Sequence, residues 1–167
     1  MNSLLELSAA LGQALQAKHW QLALAESCTG GMAAQAVTAI AGSSGWFDRG
    51  FVTYSNVAKS EMLGVPAVLI VEFGAVSEPV AEAMALGALQ YSQAQLSAAV
   101  TGIAGPGGGS PQKPVGTVCF AWAYRSGGDG GDTAVVETRH FEGDRTHIRE
   151  QAASHLLAGL LTLATSR

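Results

Sequence analysis

Leu4, Leu7, Leu11 and Leu15 recur at helical spacing and predict an amphipathic helix over residues 3–18. The apolar stretch from Trp20 to Ala25 predicts a first, buried strand. An alanine-rich run from Gly30 to Ile40 predicts a tightly packable helix, which Ala41-Gly42-Ser43-Ser44-Gly45 breaks. Phe51-Val52-Thr53-Tyr54 marks a strand within residues 47–54, and Asn56 is placed to cap a short helix through Leu63. Gly64 to Gly74 reads as a connection around Pro66. Ser77 caps a further helix, with Pro79 in its first turn and Val80, Met84 and Leu89 along it. Leu96–Val100 and Val115–Tyr124 read as strands, 126–131 as a turn, and Thr133–Phe141 as its hairpin partner. Asp144 caps a last helix on which Ile148, Ala152, Leu156, Leu160 and Leu163 share a face.

The predicted order is α-β-α-β-α-α-β-β-β-α. Early alternation implies parallel strands with helices on both faces, and the late hairpin adds antiparallel strands. The expectation is an α/β chain: a three-layer α/β/α sandwich with a mixed, mostly parallel sheet, in one domain over residues 1–167. No repeat or linker interrupts it.

Composition narrows the function classes. Of 167 residues, 48% are hydrophobic and 13% charged, which fits one globular core. A net charge of −4 with no basic run gives no electrostatic grip for nucleic acid. No apolar run approaches the roughly 18–20 residues that span a bilayer, and the amphipathic start is no signal peptide. Cys28 and Cys119 alone make no disulfide framework, so a reducing cytoplasm is expected. His19, His140, His147 and His155 have no metal-ligand spacing. Low charge with many Ala and Gly fits either close internal packing or a buried oligomer face.

The chemistry concentrates in Ala25-Glu26-Ser27-Cys28-Thr29-Gly30-Gly31, at a strand-to-helix junction. A helix start leaves backbone N–H groups free, and glycines admit a ligand close to the backbone. Ser27 there can cap the helix, attack a carbonyl or hold a phosphate. As a nucleophile it needs a base, and no histidine stands near it in sequence. Lys59, in Tyr54-Ser55-Asn56-Val57-Ala58-Lys59, can serve if burial lowers its pKa; a surface lysine beside a core tyrosine is the plain alternative. Cys28 is a rival nucleophile, although alternation turns it from the side that Ser27 faces. Glu26 either steadies these surroundings or binds a polar ligand group. Thr101-Gly102-Ile103-Ala104-Gly105-Pro106-Gly107-Gly108-Gly109 follows a buried strand, where ligands gather in open sheets. It matches neither a P-loop nor Gly-x-Gly-x-x-Gly, but its amides can face a phosphate or an oxyanion, with Ser110 and Lys113 adding a hydroxyl and a charge. Arg49 and Arg145 can each fork onto a phosphate, or pair with Asp48, Asp144 or another surface carboxylate.

Several of these motifs in series resemble the CinA C-terminal-domain family, also called the nicotinamide-nucleotide amidase family. They are AESCTGG at 25–31, AGSSGWFDRGFVTYSNVAKSEMLGV at 41–65, GAVSEPVAEAM at 74–84, TGIAGPGGGSPQKPVGTVCFA at 101–121 and GDR at 143–145. The resemblance covers nearly the whole chain and is closest to the stand-alone form. It implies hydrolysis of the carboxamide of nicotinamide mononucleotide, a small-molecule pyridine nucleotide, to nicotinate mononucleotide and ammonia. It also implies a homodimer or higher homo-oligomer, and no metal or organic cofactor. Residue by residue, it puts Ser27 as nucleophile, with Lys59, neutral or sharing a proton with Tyr54, as base. Amides near Thr29, Gly30 and Gly31 would hold the oxyanion. Thr101, Gly102, Gly105, Gly107, Gly108 and Arg145 would hold ribose and phosphate. Two other readings stay open: a non-catalytic pyridine-nucleotide-binding or regulatory module, and a cysteine amidase using Cys28. A nucleic-acid role tied to competence rests only on the family's historical name.

Overall fold

The computed structural model describes residues 3–167. The elements are α1 (Leu4–Lys18), β1 (Leu22–Glu26), α2 (Met32–Thr38), β2 (Phe47–Val52), α3 (Asn56–Leu63), α4 (Ala67–Phe73), α5 (Glu78–Gln90), β3 (Leu96–Gly102), β4 (Thr117–Arg125), β5 (Asp132–His140) and α6 (Arg145–Ser166). The strands form one mixed sheet in the order β2-β1-β3-β4-β5. β1 runs parallel to β2 and β3, and the β3–β4 and β4–β5 pairs are antiparallel.

Strand alternation sorts residues by size. Leu22 and Leu24 of β1, Leu96 and Val100 of β3, and Phe120 and Trp122 of β4 face the layer of α1, α2 and α6. Ala23, Ala25, Ala99, Ala121 and Ala123 point the other way, toward α5. The small face lets α5 lie close to the sheet, and α5 is itself rich in alanine, with Ala81, Ala85 and Ala88 fully buried. A Cβ at Gly87 of α5 would collide with the Leu63 carbonyl at the end of α3, so this glycine is a condition of the α3–α5 contact. Much of the alanine and glycine content thus serves internal packing.

The fold corrects several boundaries. Residues 64–74 are not a bare connection: Pro66 opens α4 as its N-cap. The sequence hid this helix because Val68 and Val71 are exposed and only Ile70 is buried, so α4 has no apolar stripe. α2 starts at Met32 rather than Gly30, because Gly30 (φ 59°) and Gly31 (φ 102°) take left-handed conformations and shape a turn before it. Ser55, not Asn56, caps α3, its hydroxyl accepting the Ala58 N–H. β1 begins at Leu22, because His19 ends α1 in the left-handed region.

β1, β2 and β3 all end at the same edge of the sheet. Ser27 follows β1, Thr53 and Tyr54 follow β2, and Thr101 and Gly102 close β3. Carboxyl ends of parallel strands are where open α/β sheets collect ligands.

Candidate active site

The turn after β1 is fixed from several directions. Glu26 is buried, and its Oε1 accepts the Thr29 hydroxyl at 2.6 Å and the Ala33 N–H at 2.9 Å. Its Oε2 accepts the Ala34 N–H at 2.9 Å. A carboxylate from the strand therefore satisfies the first free amides of α2, a task that the sequence left to Ser27. The Ser27 N–H donates to the Val100 carbonyl at 3.0 Å, and its own carbonyl accepts the Gly30 N–H at 3.1 Å. With the cap supplied by Glu26, the Ser27 hydroxyl is left for another partner.

That partner is Lys59. It leaves the second turn of α3 and is 1% exposed. Its Nζ lies 3.0 Å from Ser27 Oγ, 2.9 Å from the Thr53 carbonyl and 3.3 Å from the Tyr54 carbonyl. Burial pushes the Lys59 amine below the ordinary lysine pKa, against a smaller opposing effect of Cys28. The three contacts suit a neutral amine: two N–H bonds go to the two carbonyls, and the lone pair remains for the Ser27 hydroxyl.

Cys28 is buried beside Gly102, where an added Cβ would stand 3.1 Å from its Sγ. Burial pushes its thiol up to about 12, with a smaller opposing effect of its backbone hydrogen bond. Proximity to a helix start does not prevail over desolvation here, so the thiol stays protonated.

These groups line a pocket of about 230 Å³ whose other walls include Tyr54, Asn56, Ala75, Val76, Thr101, Gly102, Ala104 and Arg145. Tyr54 is 63% exposed, and its phenol oxygen lies 3.3 Å from Arg145 Nη2. Only its backbone carbonyl meets Lys59, so proton sharing between this phenol and the Lys59 amine is not the arrangement observed. Arg145 Nη1 donates to the Gly105 carbonyl at 2.6 Å, joining α6 to the glycine loop. Thr101 donates its hydroxyl to the Ala75 carbonyl at 2.9 Å. Gly107 and Gly108 are exposed and stand outside the pocket lining. Lys113 faces away from the pocket and donates to the Phe73 carbonyl at 2.7 Å. Arg49 pairs with Asp48 at 2.8 Å and is likewise remote from the lining.

Of the three amides expected to face an oxyanion, that of Gly30 is engaged by the Ser27 carbonyl. Those of Thr29 and Gly31, and that of Cys28, donate to no acceptor among the described residues. Arg149 of α6, which sequence reasoning passed over, donates to the Cys28 carbonyl at 3.0 Å and the Thr29 carbonyl at 3.1 Å. The available signal was its spacing, four residues beyond Arg145 on one helix face. Asn56 also lines the pocket and was read only as a cap.

No group of three or more His, Cys, Asp or Glu that could hold a metal occurs among the described residues, and no helix there is long and apolar enough to cross a membrane. A wider groove of about 880 Å³ runs between α1 and α6, but its His147 is tied to Asp144 and bonds to no serine there.

Known proteins share this arrangement at the level of sequence and fold. The model of the CinA C-terminal domain matches residues 4–164. A nicotinamide-nucleotide amidohydrolase PncC of Enterobacter agglomerans is 55% identical over 148 residues, covering 89% of this chain and 87% of that protein. A CinA-like protein of Mycolicibacterium vanbaalenii is 54% identical over 144 residues, which are 84% of this chain but 33% of the longer protein. The crystal structure of the competence/damage inducible protein CihA from Agrobacterium tumefaciens superposes with a TM-score of 0.91 at 44% identity, covering 98% of this chain and 96% of that one. By sequence along almost its whole length and by its fold, this chain belongs to the CinA C-terminal domain family.

Proposed function

We propose that this protein hydrolyses the carboxamide of nicotinamide mononucleotide to nicotinate mononucleotide and ammonia. The observation that carries the reading is the buried, carboxylate-free pair of Lys59 and Ser27, 3.0 Å apart at the floor of a pocket. A hydroxyl is a weak nucleophile at neutral pH, and an amine held neutral by burial is the base it needs. The amidohydrolase name of the relative at 55% identity supports the substrate.

The neutral Lys59 takes the Ser27 proton while Oγ bonds to the amide carbon, and the carbonyl electron pair moves to oxygen. Free amides of the 28–31 turn receive that oxyanion; one such donor is typically worth about 3–4 kcal/mol of barrier. The carbon–nitrogen bond then breaks as Lys59 returns the proton to the departing nitrogen, releasing ammonia. Water, giving a proton to Lys59, attacks the ester; Ser27 leaves as its hydroxyl and the product is the carboxylate. Ala75 and Val76 offer apolar wall to the pyridine ring, and Arg145 with the glycine loop is placed to hold the phosphate. A pocket of about 230 Å³ suits the reacting end, with the remainder of the nucleotide on the rim.

The finer assignments belong to the same reading. Residues 1–167 act as one amidase domain. A second copy of the chain completes a homo-oligomer. Two unpaired, buried cysteines suit a reducing cytoplasm. The decisive assay is ammonia release by the purified protein from nicotinamide mononucleotide, beside free nicotinamide. Release from the nucleotide only is the expected result. Tight binding of the nucleotide with no ammonia would make this a binding module instead.

A further inference from the structure

Arg149 is spent on backbone. It stands outside the pocket lining, and no carboxylate pairs with it among the described residues. Its Nε and Nη2 go to two successive carbonyls, those of Cys28 and Thr29. A trans peptide points its N–H opposite to its C=O. With the Cys28 carbonyl drawn toward α6, the Thr29 N–H of that same peptide turns to the other side of the turn. The next peptide shows where that side is: its carbonyl, of Thr29, also meets Arg149, and its N–H, of Gly30, reaches the Ser27 carbonyl at 3.1 Å. The Thr29 N–H, which has no acceptor among the described residues, is thereby directed to the side of residue 27. A permanently charged guanidinium on the carbonyl also polarises the peptide, which strengthens its N–H as a donor.

Resting on the amidase reading above, we propose that Arg149 is a positioning residue of the reaction: from behind the turn it aims and polarises the Thr29 N–H toward the oxyanion that forms on the carboxamide. The carbonyl clamp makes no contact with the substrate. Its loss therefore weakens the transition state and leaves the bound ground state nearly as it was.

The test compares wild type, Arg149→Met and Arg149→Lys, all checked for cooperative melting. Arg149→Met keeps the stem and loses the donors. Its kcat for ammonia release is expected to fall about 10- to 100-fold, at or below the scale of removing one oxyanion donor, with KM within about threefold. Arg149→Lys reaches one carbonyl at a time and recovers part of the rate. In parallel, the Thr29 amide resonance in a ¹⁵N–¹H spectrum of the free protein should move upfield in the Met variant. An unchanged kcat, a rise in KM alone, or a rate loss that tracks melting temperature with no recovery in the Lys variant overturns the proposal. A wild type that releases no ammonia defeats the amidase reading instead. The Thr29 resonance then decides the clamp alone: no movement overturns it, and an upfield shift sustains it.

Discussion

The floor and the rim of the pocket are built on opposite terms. At the floor, Ser27, Lys59 and Glu26 are buried and every polar atom of the latter two has a short, named partner. At the rim, Tyr54 is 63% exposed, and Arg145 joins it at 3.3 Å while holding the Gly105 carbonyl. Rigid placement is what bond-making atoms require, since misplacement is costly in rate. An exposed arginine on a glycine-rich loop is what a solvated phosphate requires, since it must exchange with water. The difference teaches that floor substitutions act on kcat and rim substitutions on KM.

The largest break is at the floor. Ser27→Ala removes the proposed nucleophile and is expected to lower kcat by about 10³-fold or more while the nucleotide still binds, as steady-state ammonia release and calorimetry would report. Full turnover in this variant would remove covalent chemistry at residue 27 from the account.

Lys59→Met follows, with a loss of about 10²- to 10⁴-fold in kcat, the range of general acid–base catalysis. Its pH dependence sharpens the point. Burial holds the folded Lys59 pKa below the ordinary lysine value, so the unfolded chain keeps the proton to higher pH. The burial penalty is therefore complete below the folded pKa, and it fades as pH rises from there to the ordinary lysine range of about 10.4. Wild type should gain stability across that window in denaturant titrations, and Lys59→Met should not. The rate, kcat/KM, should climb with pH through the same folded pKa, because the neutral amine is the base.

At the rim, Arg145→Ala should raise KM about 10- to 100-fold and leave kcat within a few-fold, the pattern of uniform binding lost. The Gly105 carbonyl loses its donor as well, so the loop loosens. A fall in kcat with unchanged KM would erase the contrast between the two regions.

Legibility in the sequence followed the same division. The strands that carry the floor were readable because Leu22–Ala25 and Leu96–Val100 are unbroken apolar runs, and the chemistry-bearing residues sit just past their ends. Spacing could not foretell the approach of Ser27 and Lys59, since 32 residues separate them and the α3 geometry alone brings the amine inward. The role of Glu26 was hidden because its partners, Ala33 and Ala34, offer only backbone, which carries no sequence signal. Arg149 was missed for the same reason: both its acceptors are carbonyls, 121 and 120 residues away. The Tyr54 phenol was expected beside Lys59, but β2 ends at Val52 and the side chain swings to the rim while its carbonyl stays.

Cys28 offers the smallest effect and the finest cut, because it is next to Ser27 in sequence and lines the same pocket. Its thiol is pushed up to about 12 by burial, so at pH 8 the thiolate is about one part in ten thousand. Its side chain packs in the core with Val100, Val118 and Phe120. Cys28→Ala should therefore keep kcat and KM within about twofold and lower stability by about 1 kcal/mol, the cost of a small core truncation. Alkylating reagents should leave the native protein active over the time of an assay. The backbone of residue 28 would be untouched, so the carbonyl held by Arg149 and the free amides of the turn would persist. A dead Cys28→Ala variant that melts like wild type would transfer the nucleophile from the hydroxyl to the thiol, and would make the Lys59 contact with Ser27 a structural one.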